Sequence, residues 1–172
     1  MTTPTFALIF GIAYLGAGVL GLIPAMLAPP PANAPATSVT LLHGYLLGLF
    51  PVNILHSAVH LLIGLWGIAA WAGITGAVMY ARSLAVFYGV LALMGFIPGM
   101  NTVFGLIPIH GHDVWLHAGT ALIAAYFGWR TAARMSARTP AERRMIERRR
   151  AMVAVAVERR QVDRRRPTWV GA

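Results

Sequence analysis

Four side chains with chemistry to offer sit in two apolar segments. His56 and His60 are four residues apart in "GLFPVNILHSAVHLLIGLWGIAAW" (Gly48 to Trp71), a run that otherwise reads as lipid-facing helix. Asp113 and His117 repeat that spacing in "HGHDVWLH". Residues i and i+4 share one face of a helix, so each pair presents both polar groups on the same side. Ionisable groups are costly in hydrocarbon and pair with one another or mark a pathway. Interhelical hydrogen bonding, from an imidazole to Asp113, a carbonyl or a tyrosine hydroxyl, is the reading preferred for the cluster. It implies a non-enzymatic protein with no resident cofactor. The alternative is a metal- or haem-binding protein. Three histidines and one aspartate form a nitrogen/oxygen set for zinc, iron or copper, with His43, His110 and His112 as outer ligands. A third reading is a relay in a small proton-coupled transporter component. Against it, Arg82 is the one charge on the inner side of the apolar region.

Other chemistries lack their residues. Cysteine is absent, which excludes disulfides, thiolate nucleophiles and cysteine-ligated metals. There is no H-E-x-x-H, no phosphate loop and no strand-led G-x-G-x-x-G.

The elements that must carry these residues follow from charge and hydropathy. Of 172 residues, 58% are hydrophobic and 11% charged, whereas a soluble domain carries about 25% charged residues. No charge precedes Arg82, and thirteen of the fourteen basic residues lie from Arg130 to Arg166. The net charge of +9 therefore belongs to a tail on an almost neutral apolar body. Four segments reach the roughly 20 residues of a span: Phe6–Leu27, Asn53–Trp71, Ile74–Pro98 and Asp113–Trp129. "MTTPTF" carries no positive charge, and the apolar run after it is longer than that of a cleaved leader, so the first segment is read as a span. By the positive-inside rule, both termini and the Arg82 connection are cytoplasmic in a multi-pass protein of the cell (inner) membrane.

The halves resemble each other. "YLGAGVLGLIP" (Tyr14 to Pro24) aligns with "YGVLALMGFIP" (Tyr88 to Pro98), and "GLFPVNILHSAVH" with "GLIPIHGHDVWLH" (Gly105 to His117). Tyr14/Tyr88, Gly21/Gly95, Gly48/Gly105, Pro51/Pro108 and His60/His117 coincide. The expected fold is all-α: a four-transmembrane-helix bundle, residues 1–130, of two parallel two-helix repeats at about 6–72 and 74–130. Short apolar stretches before the second and fourth helices lie along or dip into the outer interface. Asn53 and Asp113 are the expected N-caps. G-x-x-x-G at Gly44/Gly48 reads as close helix contact.

Residues 131–172 form an arginine-rich cytoplasmic tail. "TPAERRMIERRR" opens with a capping box, Thr139 as N-cap and Glu142 at the third position, so a helix is expected over 140–165. Arg143, Arg144, Arg148, Arg149 and Arg150 suit contact with anionic lipid headgroups. Homo-oligomerisation through the helix's modest apolar stripe is the alternative, and no nucleic-acid module accompanies the basic residues. "PTWVGA" at the end reads as disordered.

Pro51, Asn53, His56 and His60, followed by Asp113, Leu116 and His117, resemble the P-V-N-x-x-H-x-x-x-H and D-x-x-L-H segments of a family of small bacterial four-span membrane proteins classed as a domain of unknown function. The resemblance covers about Phe6 to Arg130 and omits the tail. It implies the four-span fold and supplies no activity.

Overall fold

The computed structural model describes residues 1–136 and 140–165, with the side chains of 1–130, 142 and 144–158. Two compact units divide the chain, Met1–Ala132 and Ala133–Ala172. Helix α1 (Thr3–Leu20) starts at Thr2, whose hydroxyl accepts from the Thr5 N–H at 3.3 Å. It stops seven residues short of the expected end, because Gly21 and then Pro24 interrupt it. A 3-10 turn (Pro24–Met26) leads into strand β1 (Leu27–Ala28). Strands β2 (Gly44–Leu46) and β3 (Phe50–Val52) follow, then α2 (Ile54–Ala70), α3 (Ile74–Gly95) and α4 (His112–Ser136). The second unit holds α5 (Pro140–Arg165), with Met145, Met152 and Val153 exposed. Thr139, the side chain of Arg143 and the terminal "PTWVGA" lie outside the described residues.

The chain is mostly helical, yet the expectation of an all-α fold needs correcting. The apolar stretch before α2, expected to lie along or dip into the outer interface, forms a β-hairpin. The strands form a three-stranded antiparallel sheet in order β1-β2-β3, with Leu27 opposite Leu46 and Tyr45 opposite Pro51. Pro51 has no N–H for a further ladder, which suits the edge position of β3. Leu47 and Gly48, both at positive φ, turn the chain between β2 and β3. Gly44 and Gly48 therefore belong to a strand and a turn, not to a helix-packing motif.

Close helix contact is made by other glycines. A Cβ on Gly11 would stand 2.7 Å from the Ile68 nitrogen, and one on Gly67 would stand 2.7 Å from the Gly11 Cα. A Cβ on Gly64 would meet the Leu15 nitrogen at 2.5 Å. Along the same antiparallel seam Gly18 meets Leu61 and Gly21 meets Ser57. On the other side Gly95 meets Val114, and Gly128 meets Arg82. Thr3 Oγ1 donates to the Phe127 carbonyl at 3.2 Å and Tyr14 Oη to Thr120 Oγ1 at 3.1 Å, tying α1 to α4. The core between the helices alternates small and aromatic side chains, with Ala7, Ala77, Ala81 and Ala124 beside Phe6, Tyr14, Tyr80 and Tyr88.

Beside this apolar core, polar side chains are buried and large apolar ones are exposed. Thr3, Asn53, His56, Ser57, His60, Asp113, His117 and Thr120 are buried, while Leu62, Leu93 and Leu122 are 67%, 69% and 74% exposed. Two helices, Thr3–Leu20 and Ile74–Gly95, are long and apolar enough to cross a bilayer, and the apolar Ile54–Ala70 is one residue shorter than the first.

Candidate functional site

The start of α2 is built around Asn53. Its Oδ1 accepts from the His56 N–H at 3.0 Å, so it is the N-cap. Its Nδ2 donates to the carbonyls of Val39, at 3.1 Å, and Leu106, at 2.7 Å. One fully buried amide thus fixes the first turn of α2 to both long connections. The capping role is readable from sequence. The two loop bonds are not, because they join residues 14 and 53 positions away. Asp113 stands differently. Helix α4 begins at His112, which puts Asp113 in the first turn rather than at the cap.

From these two helix starts, His56, His60 and His117 converge. One ring nitrogen from each lies within 4.8 Å of the other two, and all three residues are buried. The His56 and His60 rings are 4.5 Å apart, and those of His56 and His117 6.3 Å apart. Asp113 Oδ2 lies 3.4 Å from His117 Nε2 and 3.9 Å from His56 Nε2. Both separations are longer than the 2.7–3.2 Å of an N–H···O hydrogen bond. Neither Asp113 Oδ2 nor His117 Nδ1 has a hydrogen-bond partner. A buried polar atom left in that state costs roughly 1–3 kcal/mol, so the pair is open to something that would satisfy it.

The ring nitrogens have distinct roles. His56 Nδ1 lies 3.1 Å from the Pro51 carbonyl, and an N–H there donates to it. The Pro108 carbonyl is a second backbone partner of the ring, and Nε2 also faces Asp113 Oδ2. His117 presents Nε2 to Asp113 and keeps Nδ1 unpartnered. In His117 one nitrogen faces an orienting carboxyl group and the other is unpartnered, the arrangement that metal-ligating histidines adopt.

Two tyrosines flank the cluster. Tyr14 lies 5.3 Å from His60 and Tyr88 lies 4.9 Å from His117, ring centre to ring centre. Their matched positions in the two halves are the sequence signal that could place them here. Beside the imidazoles is a cavity of about 110 Å³, lined by His56, His60 and His117 with Val59, Phe87, Tyr88, Leu91, Val103, Ile107 and Ile109.

The remaining histidines do not join this group. His112 is exposed at the start of α4. His43 and His110 each bury an Nε2 without a hydrogen-bond partner, and the His110 ring is 6.1 Å from that of Tyr45. Burial, and then the neighbouring His43, hold His110 below the ordinary histidine value. Arg144, Arg148, Arg149 and Arg150 stand exposed on α5.

A family model described as a domain of unknown function (DUF4383) matches residues 5–130. No curated protein and no solved structure matches the chain.

Proposed function

Since the chain belongs to the domain-of-unknown-function family DUF4383, whose description assigns no activity, we propose a function from the site itself: a membrane-embedded protein that binds one first-row divalent metal, zinc first, on His56, His60 and His117. The observation that carries this reading is the convergence of three buried imidazole nitrogens to within 4.8 Å, with an unsatisfied carboxylate oxygen beside them. Tetrahedral zinc with Zn–N near 2.05 Å spaces its nitrogens about 3.3 Å apart, so closure needs only side-chain adjustment. Asp113 orients the His117 ring and offsets the ion's charge, as carboxylates behind ligating histidines do. Interhelical bonding alone explains the cluster less well, because neither Asp113 Oδ2 nor His117 Nδ1 is hydrogen-bonded.

The setting is a four-span bundle formed by α1 to α4, with both termini cytoplasmic. Outward-facing Leu62, Leu93 and Leu122 support lipid contact. At 1.5 Å per residue α3 is roughly 33 Å long, enough for a hydrocarbon core of about 30 Å. Arg82 Nε donates to the Gly128 carbonyl at 3.2 Å, next to Arg130, so the basic residues of the apolar unit gather at one end. That clustering suits a cytoplasmic end, with the arginines of α5 on anionic headgroups. A two-fold repeat is supported by paired geometry. Tyr14–His60 corresponds to Tyr88–His117, and Gly21 against Ser57 corresponds to Gly95 against Val114. Leu47–Gly48 and Phe104–Gly105, at aligned positions, both turn at positive φ.

Metal analysis of the full chain purified in mild detergent tests the metal reading. One equivalent of metal is expected, lost in His60→Ala and His117→Ala and weakened about 10- to 100-fold in Asp113→Asn. Folded protein that takes up no stoichiometric metal overturns it. The orientation is tested separately: with no native cysteine, Ser38→Cys and Ser136→Cys should label from opposite sides of sealed vesicles.

A further inference from the structure

The cavity beside the imidazoles has a chemistry of its own. We infer that the metal centre proposed above keeps an open coordination position facing this cavity, and that one small uncharged molecule binds there. The inference rests on the metal reading and adds the class of ligand.

Three observations support it. First, the cavity touches all three imidazoles, whereas Asp113 is not among its lining residues. The carboxylate does not line the cavity, so an ion held by the three nitrogens would have a remaining position that the cavity can supply. Three histidines with a fourth, exchangeable position is a recurrent arrangement for zinc that handles small molecules. Second, the other walls are hydrocarbon: Val59, Phe87, Leu91, Val103, Ile107 and Ile109, with the ring of Tyr88. An anion entering there would lose its hydration and gain no donor except the metal, a cost that a neutral molecule escapes. Third, the size is selective. A volume of about 110 Å³ lies between the roughly 30 Å³ share of one water and the roughly 150 Å³ cavity that accepts benzene. It matches a diatomic gas or a five-membered ring.

The part of the wall around Val103 is held in a strained form. Val103 and Phe104 have φ of 46° and 56°, and a β-branched residue rarely takes that conformation. Such strain persists where the surroundings over-determine it. Here the Gly105 N–H donates to Thr102 Oγ1 at 3.0 Å, the Ile109 N–H to the Asn101 carbonyl at 2.9 Å, and Asn53 Nδ2 to the Leu106 carbonyl at 2.7 Å. The segment that supplies Val103, Ile107 and Ile109 to the cavity wall is thereby pinned.

The test uses full-length protein in detergent, loaded with cobalt(II), whose visible spectrum reports its coordination. Imidazole, neutral and small, should shift the spectrum saturably, while 2-phenylimidazole and azide at the same concentration should not. Leu91→Trp and Val59→Phe, which fill the cavity, should each keep one equivalent of cobalt and lose the imidazole response. Retention of cobalt certifies the fold of either variant. Cobalt bound with no response to imidazole overturns the inference and leaves the metal centre standing. So does a response that survives in a filled variant, or a stronger response to azide. Wild-type protein that binds no cobalt removes the metal reading and this one with it.

Discussion

The rings of Tyr14 and Tyr88 stack 5.3 Å apart with 23° between their planes, so α1 and α3 meet through two tyrosines at the level of the histidine cluster. Each tyrosine also flanks one histidine, Tyr14 with His60 and Tyr88 with His117. Tyr14 also packs on Phe10, and Phe10 on Phe6. Offset aromatic pairs contribute about 0.5–1.5 kcal/mol beyond the area they bury.

Tyr14→Phe keeps the stack and removes the 3.1 Å bond to Thr120. It should cost about 1 kcal/mol and leave metal binding unchanged. Tyr14→Ala removes the ring as well and should cost about 3–5 kcal/mol, as truncation of a large buried aromatic does. Denaturation midpoints in detergent, with metal content measured alongside, check both. Equal losses in the two variants would mean that the stack contributes nothing.

Asn53→Ala removes three hydrogen bonds at once and leaves two carbonyls and the His56 N–H without their partner. A destabilisation of about 2–4 kcal/mol is expected, with faster hydrogen exchange in residues 103–109. Asn53→Asp keeps the cap acceptor but sets an oxygen against two carbonyl oxygens, so it should recover only part of the loss. Full recovery would show that the loop bonds do not matter.

Gly48→Ala and Gly105→Ala test the two turns. Both glycines sit at positive φ, +72° and +87°, where an L side chain costs about 1–2 kcal/mol. Gly48 has open space for a methyl group, whereas at Gly105 it would meet Ser38 Oγ at 3.0 Å. Gly105→Ala should therefore be the more destabilising of the two. Paired thermal midpoints decide the order.

Acidification should loosen the loops around His110. Its folded value lies below the ordinary 6.5 because burial penalises the charged ring and His43 adds to that. Below pH 6.5 the unfolded chain therefore binds more protons than the folded one, and stability falls as pH is lowered. Above pH 6.5 this contribution is fully present. The groups facing His110 are His43 and the ring of Tyr45. His110→Gln should flatten the stability profile between pH 6.5 and the folded value, and an unchanged slope would remove His110 as its source.

Much of the architecture is legible in the sequence because hydropathy and proline placement act locally. The helix starts at Asn53 and Pro140 follow from capping chemistry, and the apolar runs of α1 and α3 from length. The polar residues of the candidate site are visible as two i, i+4 pairs, since that spacing alone puts them on one face. What local pattern cannot supply is distance between elements. The approach of His117 to His56, and the reach of Asn53 to Leu106, depend on packing across more than fifty residues. The sheet escapes notice for a different reason. Its strands are two or three residues long, too short for a period-two alternation to register, and Pro51 sits in one of them. Gly44 and Gly48 then mimic a helix-packing spacing while serving a strand and a turn. The glycines that do bring helices together, Gly11, Gly64 and Gly67, are spread over two separate segments, so no single motif announces them.

The seam between α1 and α2 has a mechanical consequence. Where Gly11 faces Gly64 and Gly67, peptide planes touch with no side chain between them. Neither a lipid tail nor a sliding side chain has room to enter, so this hairpin moves as one rigid bar. Any opening toward the cavity beside the imidazoles must therefore come from elsewhere than this glycine contact.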